Sequence, residues 1–247
     1  MARINAQNVS LAFPMYASAH APGFTDTVVE EDRLIFAADG NVKGIKALDN
    51  ISLDLRDGDR LAVIGANGSG KTTLLQVLSG IITPDAGEVA IYGRATNLIN
   101  INLGMQSQAT GHRNITLRGL SFGQSHKAIE AKRNEIIEFS ELGRFIEMPI
   151  ETYSAGMRMR LSFAIATAFE PEILILDEWL STGDASFRQK ATDRMQSFVN
   201  IAGVLVLASH SQRLLEENCN KAIWLSDGKI RAEGPVTEIF NEYKKTK

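Results

Sequence analysis

The sequence predicts an α/β fold built around a phosphate-binding loop, and three stretches predict it. Residues 61–64 (LAVI), 173–176 (ILIL) and 204–207 (VLVL) are short unbroken apolar runs, the pattern of strands buried on both faces of a mostly parallel sheet. The first run leads at once into a glycine-rich stretch and then into helical spacing that stops at Gly80. Between Gln106 and Tyr153 the rhythm turns from strand-like to helical, which marks a helical insertion in the α/β frame.

Taken in order, Val9, Leu11 and Phe13 alternate and predict an edge strand. The segment from Pro14 to about Gly44 holds two prolines, scattered glycines and the short apolar group 34–38. A loop that long is uncommon without a function, so a short helix or a partner contact is expected here, with a surface excursion as the alternative. Ile51, Leu53 and Leu55 alternate into a turn at Asp57 and Gly58, which delivers the chain to the 61–64 strand. Residues 84–87 (PDAG) form a second turn, followed by a strand over 88–92. Helical spacing covers 114–122 and 127–142, the latter with Ile129, Ile136, Ile137 and Phe139 as its apolar positions.

Residues 65–73 read GANGSGKTT, the pattern G-x-x-x-x-G-K-T. Gly65, Gly68 and Gly70 allow backbone conformations closed to other residues, so the N–H groups of Asn67, Ser69 and their neighbours can converge on one anion. The helix opening at Lys71, Thr72 and Thr73 points the positive end of its dipole at the same place. A polyphosphate is the natural occupant. Lys71 would reach the β- and γ-phosphates of ATP, and the Thr72 hydroxyl would hold Mg²⁺.

Asp177 and Glu178 end the 173–176 run, at the sheet edge where α/β proteins bind ligands. Adjacent residues on a strand point to opposite faces, so the two acids should do different jobs. Asp177 suits the metal held by Thr72, and Glu178 suits the water that attacks the γ-phosphate. His210 ends the next run and could bridge that water and the γ-phosphate. Ser154 and Gly156 open a further helix, where the serine reads either as a cap or as a second anion site.

Composition sets limits. A length of 247 residues suits a core domain with an inserted subdomain better than two independent domains. With 44% apolar and 22% charged residues the chain can bury a sizeable core. A net charge of −3 with no long Lys or Arg run lacks the footprint of a nucleic-acid binder. Cys219 is the sole cysteine, so no internal disulfide forms and a small buried hydrophobe is the expected role. No apolar stretch reaches the roughly 20 residues of a membrane span, and the first eight residues are too polar for a signal peptide.

The order of phosphate loop, Gln106, helical insertion, Ser154-Ala155-Gly156-Met157, Leu176-Asp177-Glu178, Asp184 and His210 resembles the ATP-binding subunit of an ABC transporter across nearly the whole chain. The resemblance implies a single P-loop NTPase domain. Its core and an antiparallel β subdomain would occupy 1–105 and 158–247, and a helical subdomain about 106–157. It implies a head-to-tail homodimer with ATP between one copy's phosphate loop and the other's Ser154 and Gly156. Asp184 would communicate between the two sites, and Gln106 would couple Mg²⁺ to an integral-membrane permease subunit. An aromatic near the N-terminus would stack on adenine, Phe13 first and Tyr16 second.

The signature departs from the family's usual Leu-Ser-Gly-Gly-Gln at Tyr153, Ala155 and Met157. Together with 147–150 (EMPI), 110–115 (TGHRNI), 177–185 (DEWLSTGDA) and 13–16 (FPMY), it is similar to one subgroup, the bacterial exporters of lipid-linked O-antigen, capsule or teichoic acid. That implies a lipid-linked glycan as cargo and a place on the cytoplasmic face of the inner membrane. The alternatives are the same motor with a drug, lipid or protein cargo, and a soluble ATPase acting on chromosomes or ribosomes.

Overall fold

The computed structural model describes residues 1–15, 29–31, 33–36, 41–99, 104–178 and 185–246. In chain order the elements are β1 (Arg3–Pro14), β2 (Val29–Glu31), β3 (Leu34–Phe36), β4 (Val42–Arg56), β5 (Arg60–Ile64), α1 (Lys71–Leu78), β6 (Ala86–Tyr92) and β7 (Ala95–Asn97). Then follow α2 (Gly111–Ser121), α3 (His126–Ser140), α4 (Ala155–Ala166), β8 (Ile173–Asp177), α5 (Ala185–Ile201), β9 (Val204–Ala208), α6 (Gln212–Asn218), β10 (Lys221–Ser226), β11 (Lys229–Gly234) and α7 (Val236–Lys245).

Two sheets form the frame. The first is antiparallel, in the order β2-β3-β4-β1-β6. The alternation at 9–13 predicts an edge strand, but β1 pairs with β4 on one side and β6 on the other and is internal. Long partners on both sides satisfy its backbone, which a pattern of side chains alone does not reveal. The helix expected between residues 14 and 44 is not found among the described residues; β2 and β3 instead add a short hairpin to the free side of β4.

The second sheet runs β11-β10-β5-β9-β8-β7, parallel throughout except for β11. Its apolar runs divide between two faces. Ala62, Ile64, Leu174, Leu176, Leu205 and Leu207 pack with Phe163 of α4, Phe187 and Phe198 of α5 and Phe240 of α7. Leu61, Val63, Ile173, Ile175, Val204 and Val206 pack with Leu74, Leu75 and Leu78 of α1 and with Ile4, Leu48 and Leu55 of the first sheet. Each such side chain, buried to the last few per cent, contributes about 1.5–3 kcal/mol, so the unbroken runs hold both layers onto one sheet.

The helical insertion has its own core of Ile115, Ile129, Ile136, Leu142, Ile146, Ile150 and Tyr153. Helix α4 belongs to both bodies: Leu161, Ala164 and Ile165 join this cluster while Met159, Phe163 and Ala166 face the sheet. Phe139 of α3 lies 5.9 Å from the Phe163 ring and 5.6 Å from the Phe187 ring. Lys190 of α5 reaches Glu141 at 2.7 Å and the Phe139 ring at 4.7 Å, and Arg194 pairs with Glu135.

Candidate functional site

The phosphate loop links β5, central in the parallel sheet, to α1. Gly65 has no room for a side chain: a Cβ there would lie 2.4 Å from the Leu225 carbonyl and 2.5 Å from Ser69 Oγ. Gly70, at φ 106°, caps α1 without a side chain. Helices α2, α3, α4 and α6 each place a Ser or Thr hydroxyl, from Thr110, Ser125, Ser154 and Ser211, on a first-turn amide. Helix α1 has no such hydroxyl at its cap, so its opening amides stay available to an anion. Ser69 is buried, and its hydroxyl has no hydrogen-bond partner among the described residues. Lys71 Nζ lies over the loop, 3.0 Å from the carbonyls of Gly65 and Ala66. Asn67 and Gly68 are exposed at the loop's tip, and Thr73 follows half-buried in α1.

Strand order brings the acids to the loop. Val63 lies beside Ala208 of β9, and Ala208 lies beside Asp177 at the end of β8. The Thr72 hydroxyl donates to Asp177 Oδ2 at 2.5 Å. Two hard oxygen donors side by side fit a divalent cation such as Mg²⁺, completed by phosphate oxygens and water.

Glu178 lies elsewhere, and not by strand alternation. Its φ is 70°, a left-handed value that turns the chain out of the strand immediately after Asp177. Its N–H still donates to the Ala208 carbonyl at 2.9 Å. Its carboxylate accepts the Ser209 hydroxyl at 3.3 Å and the His210 N–H at 3.2 Å. The two acids therefore do part company, as the sequence predicts, but through a backbone reversal.

Gln106 stands at the entrance to the helical insertion, where Asn114 grips its backbone. Asn114 is fully buried; Oδ1 accepts the Gln106 N–H at 2.8 Å, and Nδ2 donates to the carbonyls of Gln106, Ala109 and Thr110 at 3.0–3.1 Å. Sequence reading passed over this bracket, although a lone Asn just inside a predicted helix is a usable signal. At the far end of the insertion the Ser154 hydroxyl accepts the Met157 N–H at 3.2 Å and caps α4. A Cβ on Gly156 would meet only Ser154 Oγ, at 3.9 Å. Phe13 is 40% exposed on β1, opposite Ile45 of β4. Tyr16 and Asp184 lie outside the described residues.

Elsewhere, burial pushes the Cys219 thiol up to about 12, which suits a half-buried hydrophobe beside the core and not a reactive thiol. Among the described residues no helix is long and apolar enough to cross a membrane.

A glycine-rich loop between a central parallel strand and an open helix N-terminus, with a Thr–Asp pair beside it, defines the class of P-loop nucleoside triphosphatases. Comparison with known proteins narrows the class. The sequence profile described as "ABC transporter" matches residues 48–181, more than half of the chain. The chain is 39% identical over 229 residues to the "O-antigen export system ATP-binding protein RfbE" of Yersinia enterocolitica, covering 92% of this chain and 95% of that one. It is 42% identical over 212 residues to the "Teichoic acids export ATP-binding protein TagH" of Lactococcus lactis, covering 86% of this chain but only 45% of that one. A solved structure entitled "Structure of ATP binding subunit of ABC transporter" matches in fold, with a TM-score of 0.69, 19% identity and coverage of 98% and 93%. The chain belongs to the ABC transporter family.

Proposed function

We propose that this chain is the ATP-hydrolysing subunit of an exporter that, with a separate membrane subunit, moves a lipid-linked surface polysaccharide across the bacterial inner membrane. The observation that carries the cargo is the 39% identity to an O-antigen export ATP-binding protein, held over nearly the full length of both chains. The phosphate loop and the Thr72–Asp177 pair support the chemistry.

In this reading Phe13 stacks on adenine, and the amides of the loop residues from Asn67 to Thr73 hold the phosphates. Lys71 moves off its two carbonyls onto the β- and γ-phosphates. Thr72, Asp177 and Gln106 would hold Mg²⁺, which when bound neutralises phosphate charge. Glu178 takes the proton of the attacking water, a role worth about 10²–10⁴-fold in rate. Ser209 and the His210 N–H fix its carboxylate, and the His210 ring faces the γ-phosphate. Ser154 and Gly156 act on the ATP of a second copy, with Asp184 between the two sites.

A groove of about 480 Å³ runs between the core and the insertion, lined by Ser79, Ile81, Asn97, Gly104, Arg118 and Phe122. It opens two residues from Gln106 and carries the 44% exposed Ile81, which suits it to receive the membrane subunit. The subunit then works at the cytoplasmic face of the membrane, without a nucleic-acid partner.

The test replaces the gene in its own cell with a Glu178→Gln version and measures lipid-linked polysaccharide on each side of the inner membrane. Accumulation inside with loss from the surface is expected. Unchanged surface glycan, in a strain with no second exporter, would reject the cargo. Purified Glu178→Gln protein should hydrolyse ATP about 10²-fold or more slowly than wild type, and full activity would remove Glu178 from the role of base.

A further inference from the structure

Arg33 directly precedes β3 and takes φ 70°, a value uncommon outside glycine. Its guanidinium forks across three carbonyls. Nε donates to Lys46 at 2.9 Å and Nη2 to Ala47 at 3.2 Å, both on β4, while Nη1 donates to Gly68 of the phosphate loop at 2.7 Å. The Arg33 carbonyl in turn accepts the Lys46 N–H at 2.8 Å, so the residue is locked to β4 from both sides. A hairpin outside the α/β core thus holds the tip of the loop that the core presents.

The contact matters because of where it falls. Gly68 is exposed, sits at φ 80°, and among the described residues has nothing within 4 Å of where a Cβ would be, so its peptide is held by hydrogen bonds and not by side-chain packing at that position. The carbonyl of Gly68 and the N–H of Ser69 belong to one planar trans peptide and point opposite ways. Holding the carbonyl outward on Arg33 therefore keeps the Ser69 amide turned into the loop, where its N–H donates to the Ala66 carbonyl at 3.2 Å and the two bonds together set the peptide's orientation. The same fork fixes a positive charge beside an anion site.

We propose that Arg33 is a positioning residue for nucleotide binding: it orients the Gly68–Ser69 peptide for phosphate and sets affinity from outside the loop. The inference rests on the nucleotide-binding reading of that loop. It predicts a defect confined to the phosphate end of the ligand, shared by any polyphosphate whether or not it carries a base.

The experiment titrates wild type, Arg33→Ala and Arg33→Lys with a fluorescent ATP analogue and, by calorimetry, with inorganic tripolyphosphate, and records the melting temperature of each protein without ligand. Arg33→Ala should weaken both ligands by the same factor, about tenfold, the loss expected for its one charge-assisted bond to the loop. Arg33→Lys should fall between, because an ammonium keeps the charge but cannot fork across three carbonyls. In steady state KM for ATP should rise by a larger factor than kcat falls. A folded Arg33→Ala protein whose affinity for tripolyphosphate stays within about twofold of wild type would overturn the inference and leave Arg33 a staple of β3 on β4. Should Arg33→Ala not fold, Arg33→Lys decides by the same comparison, a loss of about threefold or more supporting the inference. Wild type that binds neither ligand would overturn the nucleotide reading, and the inference with it.

Discussion

Gly156 separates fold from function at a single residue. It lies in the first turn of α4, where glycine is a poorer helix former than alanine, and among the described residues a Cβ there meets nothing closer than 3.9 Å. The chain itself does not need the glycine, so the need comes from outside, and in the proposed dimer the partner's ATP supplies it. Gly156→Asp should then keep or slightly raise the melting temperature, because a carboxylate is favoured at a helix N-terminus. Its ATPase activity should fall to background, because that carboxylate would oppose the γ-phosphate. A drop of several degrees in melting temperature would assign the glycine to the fold instead. Such residues were legible in the sequence because the chemistry demands fixed types at short spacing: Lys71 and Thr72 after the glycines, Asp177 and Glu178 after an apolar run. Arg33 was not legible, since its meaning depends on a carbonyl 35 positions away. Nor was the left-handed turn at Glu178, which the local sequence does not announce.

At the scale of elements, the junction between core and insertion hangs on Asn114. One buried side chain satisfies the backbone of Gln106 and two carbonyls of the following turn, holding the segment that enters α2. Asn114→Ala would strand these groups away from water, and a loss of about 3 kcal/mol in urea unfolding is expected. A loss below about 0.5 kcal/mol would mean that water takes over the bracket. The buried strands and the helices α1 to α3 were legible because their periodicity is strong and their lengths ordinary. The first sheet was read less well. Strands β2 and β3 are three residues each, too short for alternation to register, and the central place of β1 depends on partners thirty or more residues away in the chain.

For the whole molecule, two layers meet at the phosphate loop. The antiparallel sheet carries Phe13 and, through Arg33, the tip of the phosphate loop; the parallel sheet carries the loop's base and both acids. Asp49 of β4 ties the sheets together, bonding Lys46 at 2.9 Å and Lys229 of β11 at 3.0 Å. The Lys46 ammonium holds its carboxyl below the usual aspartate range against the opposing effect of burial. The N-terminus of α4, capped by Ser154, belongs to the helical body and not to the loop's own layer, which suits it to the proposed contact with another copy's nucleotide. The division into core and insertion was legible from the change of period, whereas the sharing of α4 between them was not, because both faces of that helix are apolar. In the proposed function ATP is held between two copies, and the mass of the Glu178→Gln protein in solution tests this. Without nucleotide, light scattering should give the 27.0 kDa chain. With saturating ATP and Mg²⁺ the mass should double, and adding Gly156→Asp should return it to the single chain. A protein that binds ATP yet stays at 27.0 kDa, or a dimer indifferent to Gly156, would contradict the shared site.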